Sequence, residues 1–209
     1  MSAVRTATRS VGELFVTAGL VLLLFVAYQL VWTNFEAGRA QDGVSNQIRD
    51  DWQRPAASGG TGEVGKLTDF GKGFAFMHIP RLGRHYSVPV VEGVSLDDLA
   101  KGIGHYPRTV LPGEVGNFAV AGHRATHGEP FAYLDEVRKG DAVVVETQED
   151  WYVYVVDRTR IVQPTDTWVI SPVPGRPDAV PTERLIVWGH LESRRSKAAG
   201  RPDELRAAA

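Results

Sequence analysis

The chain of 209 residues contains no cysteine, and this single absence removes disulfides, zinc-thiolate sites and thiol catalysis together. It also lacks an excess of either charge: 23 basic residues stand against 25 acidic ones, a formal net charge of -2, so nothing draws the protein toward nucleic acid. Internal repeats and long blocks of like charge are missing as well. What the chain has instead is glycine (22) and proline (12), with short valine-rich segments between them. That pattern predicts a mainly β domain with short helices, and the length allows one such domain plus attachments.

One stretch departs from the rest. From Leu14 to Trp32 the residues are almost continuously apolar and uncharged, and with Val11 and Gly12 they approach the ~20 needed to span a bilayer as a helix. Tyr28 and Trp32 suit an interfacial belt, and Arg5 and Arg9 ahead of the run favour a cytoplasmic start, although Arg39 lies beyond it. The run exceeds the ~7 to 15 apolar residues of a signal peptide, and no small-residue cleavage site follows closely. The expected organisation is therefore a cytoplasmic terminus over 1–10 and one transmembrane helix over 11–32, with the bulk of the chain outside the cytoplasmic membrane. Residues 33–69 are expected to form a stalk and linker. Val44, Ile48 and Trp52 recur every four residues, as in a short helix, while 55–62 are flexible by composition.

The folded domain is expected over 70–192. Strands are predicted at 74–80, at 86–91 with Pro89 hinting at an edge or bulge, and at 118–121. The clearest hairpin pairs 141–146 with 151–156, and 158–162 continue its second member. A weaker strand is read at 167–170 and a final one at 184–191. Ser95 caps a helix of no more than two turns. Residues 193–209, polar and alanine-rich, read as a disordered tail.

Chemistry concentrates at 117–124, Asn-Phe-Ala-Val-Ala-Gly-His-Arg. An apolar strand ends on Gly122, which lets the chain turn, and His123 emerges where a rigid element holds a titratable imidazole, a position suited to a general acid or base. His127 lies four residues on, a metal-ligand spacing on a helix, but Gly122 and Gly128 argue against a helix there; no metal and no cofactor is expected. His190 on the last strand reads as solvent-facing, with Trp188 on the same face.

The residues around His123 extend this reading. Gly104 to Arg124, Pro130-Phe131, Leu134-Asp135 and Lys139-Gly140-Asp141 together resemble the sortases, most closely their class E type, whose catalytic histidine sits in the same Ala-Gly-His-Arg setting. The resemblance runs from about Phe74 to Leu191. It implies a β-barrel of about eight strands, and a cysteine transpeptidase that cuts sorting signals such as Leu-Pro-X-Thr-Gly through a thioester. The acyl group then passes to an amine of the cell-wall precursor or of a pilin. His123 matches the family's histidine, Arg184 its arginine at the start of the final strand, and His105 falls in a loop that the resemblance puts near the substrate groove.

The family's cysteine ends the strand before that arginine. Here Val180-Pro-Thr-Glu-Arg-Leu-Ile carries the entry to that strand and to the next on the same residues, which reads as the loss of one strand and its loop, nucleophile included. Ser171 and Thr182 are the hydroxyls nearest in sequence, but a site shaped for a thiolate offers an alcohol neither its base nor its oxyanion hole. The expected function is that of a sortase impaired or silent in catalysis. The alternative is a module that binds a sorting peptide or pilin without cutting it.

Overall fold

The computed structural model describes residues 2–54, 69–163, 165–171 and 184–206, with the backbone alone for 2–11, 29–31, 33–34 and 184–185. A single helix, α1 (Ser2–Gln53), leads into a sheet of β1 (Gly73–His78), β2 (Val88–Glu92), β3 (Ile103–His105), β4 (Val120–Ala121), β5 (Ala142–Glu146), β6 (Asp150–Val162) and β7 (Arg184–Ser196). A short helix, α2 (Leu96–Leu99), joins β2 to β3. The strand order is β4-β3-β2-β1-β5-β6-β7, antiparallel throughout except for β2 and β3.

The mainly β expectation holds, and so does the hairpin: Ala142 to Glu146 pair with Val155 to Trp151. Its connection is tightened by Thr147, whose N–H donates to the Asp150 carbonyl at 2.9 Å. Residues 158–162 continue β6 past a register shift between Val156 and Arg158. Ser95 caps α2 by the capping box, its hydroxyl accepting from the Asp98 N–H while the Asp98 carboxylate accepts from the Ser95 N–H.

Several expectations need correction. Among the described residues the sheet curls into half a barrel and does not close, with β4 and β7 as its outer edges. Pro89 lies on an interior strand, opposite Phe76, but the ladder to β3 begins only at Val90, so that side asks no donor of it. Residues 118–121 are half-buried, and only Val120 and Ala121 pair as β4, because an edge strand has a neighbour on one side only. Thr167–Ile170 is a 3-10 turn, not a strand; it starts where the Asp166 carboxylate accepts the Gln163 N–H at 2.7 Å and bends the chain.

The last strand does not stop near 191. Ser193 to Ser196 pair with Val153 to Asp150, and 3-10 turns follow at Lys197–Ala199 and Asp203–Leu205. Polarity misled here because the charges are used in place: Arg194 meets Asp150 at 2.6 Å and Lys197 meets Glu146 at 2.6 Å.

The segment expected as a stalk is the second half of α1, docked on the sheet. Val44 and Ile48, the latter fully buried, pack on Phe76 and Val91, and Trp52 meets Phe76 edge-on at 5.5 Å. Burying Ile48 alone is worth about 1.5–3 kcal/mol. Gly73 makes the close approach possible, since a Cβ there would lie 2.5 Å from Val44 Cγ1. The flexible linker at 55–62 lies outside the described residues. In the first half of α1 the apolar side chains of 12–28 are exposed; among the described residues no helix is long and apolar enough to cross a membrane, and the expected span 11–32 runs past both ends of that stretch.

The main core lies on the other face of the sheet, where Ala75, Met77, Val90, Ile103, Val145 and Tyr152 are buried together. Phe118, from the chain leading into β4, stacks on Tyr154 of β6 at 6.5 Å across this face, and the Gly113 N–H donates to the Tyr154 hydroxyl at 3.0 Å. Burial pushes that phenol up to about 12, so it stays neutral and serves as an acceptor.

Candidate functional site

His123 is the first side chain past the turn that ends β4. At Gly122 a Cβ would lie 2.7 Å from Phe131 Cδ2, so close packing, and not a special φ, is what asks for glycine. The Phe131 N–H then donates to the His123 carbonyl at 3.0 Å, and the Tyr86 hydroxyl donates to the neighbouring Pro130 carbonyl at 2.5 Å. The loop returns through three left-handed residues, His127 (φ 56), Gly128 (φ 76) and Glu129 (φ 48). Two of these are not glycine and carry strain that the surroundings must hold. Part of that hold comes from α1, where Gln41 Nε2 donates to the His127 carbonyl at 3.1 Å.

The imidazoles of His123 and His127 stack, with centroids 4.7 Å apart and planes 25° apart. His127 Nδ1 is 2.9 Å from the Thr126 hydroxyl. His123 Nε2 is buried and, among the described residues, has no hydrogen-bond partner. Burial lowers the pKa of His123, and the positive charge His127 can carry lowers it further. His123 therefore presents a neutral ring at neutral pH with one nitrogen unsatisfied, a group able to accept or deliver a proton. Arg124 beside it pairs with Asp135 at 3.0 Å, with both side chains more than half exposed, a contact of little energetic weight.

The other two sequence candidates are His105 and Arg184. His105 is not in a loop: it is the last residue of β3, 2% exposed, with Nδ1 2.6 Å from Glu92 Oε2 and Nε2 3.0 Å from the Thr109 hydroxyl. Phe118 stacks on it at 5.3 Å. Among the described residues no hydrogen bond, ion pair or ring contact joins it to His123. Arg184 opens β7 opposite Val162, on the far edge of the sheet from β4; its side chain lies outside the described residues.

Ser171 ends the 3-10 turn, and its carbonyl accepts from Asn117 Nδ2 at 3.1 Å, which ties the start of the histidine motif to that turn. Thr182 lies outside the described residues. His190 is exposed and pairs with Asp157 at 2.9 Å. The spacing of His123 and His127 falls on a loop, and among the described residues no group of three or more His, Asp or Glu gathers as metal ligands do.

Sequence reasoning missed His127 as the stacking partner, Gln41 as the brace and Glu92 as the carboxylate behind His105. Only Glu92 left a signal, as a charge inside the apolar Val-Pro-Val-Val-Glu strand, which demands a buried partner.

The chain matches the Sortase domain family over residues 77–192. Sortase SrtE1 of Streptomyces coelicolor is 38% identical over 223 residues, covering 95% of this chain and 61% of its own length. Sortase SrtE2 of the same organism is 42% identical over 150 residues, covering 68% and 58%. The chain thus spans about three fifths of these curated relatives. Among solved structures, sortase E from Streptomyces avermitilis aligns with a TM-score of 0.62 and 44% identity over 66% of this chain and 99% of that one. Sortase E1 from Streptomyces coelicolor, with a tripeptide in its active site, aligns with a TM-score of 0.59 and 35% identity over 65% and 97%.

Proposed function

The chain belongs to the sortase family, and on that premise we propose that it is a member without transpeptidase chemistry, kept at a membrane where it meets sorting signals and does not cut them. The observation that carries this reading is the buried His123 Nε2, unpartnered among the described residues, in a chain that has no sulfur nucleophile. Thiol transpeptidation needs a thiolate to attack the scissile carbonyl, an acid to protonate the leaving amine and a cation to meet the oxyanion. His123 supplies the proton-handling group, and Arg184 takes the cationic role by its match to the family motif. Nothing supplies the attack, so no thioester forms and the cell-wall or pilin amine has no acyl group to receive. Ser171 does not substitute, because an alcohol needs a base and an oxyanion hole set for it.

A second reading, a module that binds sorting peptides or pilins, is favoured by the open sheet. Among the described residues its edges, β4 and β7, each pair with one neighbouring strand, the arrangement to which an extended peptide adds as a further strand.

Placement at the membrane is supported by the exposed apolar flank of α1, with Leu14 68%, Phe15 73% and Leu23 64% exposed. Such a surface in water is costly and in lipid is favourable. The anchor is residues 11–32, and the sheet lies outside the cytoplasmic membrane. Incubating the full chain with Leu-Pro-X-Thr-Gly and Leu-Ala-X-Thr-Gly peptides and an amine acceptor is expected to give no cleavage by mass spectrometry and saturable binding by anisotropy. Cleavage that vanishes in His123→Ala would overturn the proposal.

A further inference from the structure

β6 and β7 run on together past the register shift between Val156 and Arg158, and this outer half of the pair has two unlike sides. On one side Val187 packs on the main core. On the other the ladder sets Arg158 opposite Trp188 and Arg160 opposite Ile186, since directly paired residues share a side. Trp168, from the 3-10 turn Thr167–Ile170, stacks on Trp188 with centroids 5.8 Å and planes 12° apart. The Arg158 guanidinium lies 5.0 Å from the centre of the Trp188 ring, and that of Arg160 lies 6.0 Å from the centre of the Trp168 ring.

Both arginines are exposed, and among the described residues neither has a carboxylate partner. The acids close by in the chain are engaged elsewhere: Asp157 meets His190 at 2.9 Å, and the Asp166 carboxylate accepts the Gln163 N–H at 2.7 Å. An indole beneath a guanidinium restricts it and covers one flat face, while the N–H edge stays open to an oxyanion. Arg158 and Arg160, two residues apart on one strand, spring from backbone positions about 7 Å apart, which is also the interval between alternate side chains of an extended peptide.

The same place offers a backbone partner. Among the described residues β7 is an outer strand, 13 residues long, and Gly189 to Arg194 are exposed. A phosphate polymer would use the cations and leave that edge as it is. An extended peptide uses both, pairing its main chain with β7 and sending every second side chain to the side of Ile186 and Trp188. From such a peptide β6 lies two strand spacings away, about 10 Å, a span covered by an arginine leaning on Trp188 and a glutamate that meets it.

We infer that the outer side of β6 and β7 is a binding site for an acidic extended peptide with glutamate at every second position. Its main chain adds to β7 and its carboxylates meet Arg158 and Arg160. This rests on the reading of the open sheet as a peptide-binding edge.

The full chain in detergent micelles is titrated by fluorescence anisotropy with labelled peptides of equal length: alternating glutamate and threonine, alternating glutamine and threonine, and the same glutamates and threonines in two blocks. Leu-Pro-X-Thr-Gly and Leu-Ala-X-Thr-Gly peptides are run beside them, and inorganic polyphosphate serves as competitor. The alternating acidic peptide is expected to bind saturably, severalfold more tightly than the other two, with affinity falling as salt rises. Arg158→Gln or Arg160→Gln is expected to weaken it about tenfold, the worth of one charge-assisted hydrogen bond. Arg158→Lys keeps the charge and loses the fork, so it should fall between, at an unchanged melting temperature. Methylating one alternate set of the peptide's backbone nitrogens should abolish binding and methylating the other set should spare it, because only one set faces β7. Equal binding of the alternating and block peptides, or displacement by polyphosphate as effective as by unlabelled peptide at equal charge, marks a plain cationic patch and overturns the inference. So does binding indifferent to both arginine variants or to both methylated sets. If the sorting peptides bind and the alternating acidic peptide does not, the inference falls and the peptide-binding reading stands; if no peptide binds, both fall.

Discussion

At the scale of single residues, two histidines one strand apart have opposite fates. His105 ends in an apolar interior, where Glu92 gives it the partner that burial demands. Glu92→Ala leaves that imidazole nitrogen unsatisfied and is expected to cost about 1–3 kcal/mol in urea unfolding. His123 ends with a nitrogen buried and unsatisfied, which is poor structural economy and good preparation for chemistry. Its pKa is lowered by burial first and by His127 second. By NMR titration His123 should therefore change charge below the usual imidazole value, and His127→Ala should raise its midpoint in part, because burial remains. The sign for folding follows from linkage. The unfolded chain takes up this proton first as pH falls, so the contribution of His123 to stability is present above the ordinary value of about 6.5 and is lost as pH drops through the depressed one.

At the scale of elements, α1, β5 and the turn after β7 meet at one charged junction. His78 meets Glu146 at 2.8 Å, Lys197 meets the other oxygen of the same carboxylate, and the Lys197 ammonium also covers Trp52. Burial pushes the Glu146 carboxyl up, but the hydrogen bonds from His78 and Lys197 outweigh it and the net shift is downward. A depressed carboxylate stabilises the fold above its unfolded value and stops doing so as pH falls through the folded one. Lys197→Ala is expected to raise the Glu146 midpoint, to lower the melting temperature at pH 7, and to lower it much less below the carboxylate range. Equal losses at both pH values would mean that Lys197 acts by packing on Trp52 alone. The four-residue recurrence of Val44, Ile48 and Trp52 announced a helix; that the helix docks, and on Phe76 and Val91, depended on Gly73 leaving room.

At the scale of the whole molecule, the helix completes a sheet that curls without closing. Without residues 1–54, Phe76 and Val91 lose their cover, so the remaining domain is expected to melt at a lower temperature and to self-associate in size-exclusion chromatography. A monomer with an unchanged melt would show that the helix is not part of the fold. The sequence by itself determined what local chemistry can determine: the β5–β6 hairpin from alternation and its tight connection, the cap of α2 from Ser95, the family from the residues around His123, and the want of a thiolate from composition. Tertiary structure alone decided which histidine is satisfied and which is not, that the expected stalk is a packed element, and that the polar end of the chain is ordered by pairing with β6. Those outcomes depend on contacts between residues far apart in the chain, such as Glu92 with His105, Gln41 with His127 and Lys197 with Glu146. Hydropathy and spacing along the chain describe each residue with its neighbours in sequence, whereas burial and charge pairing are properties of neighbours in space.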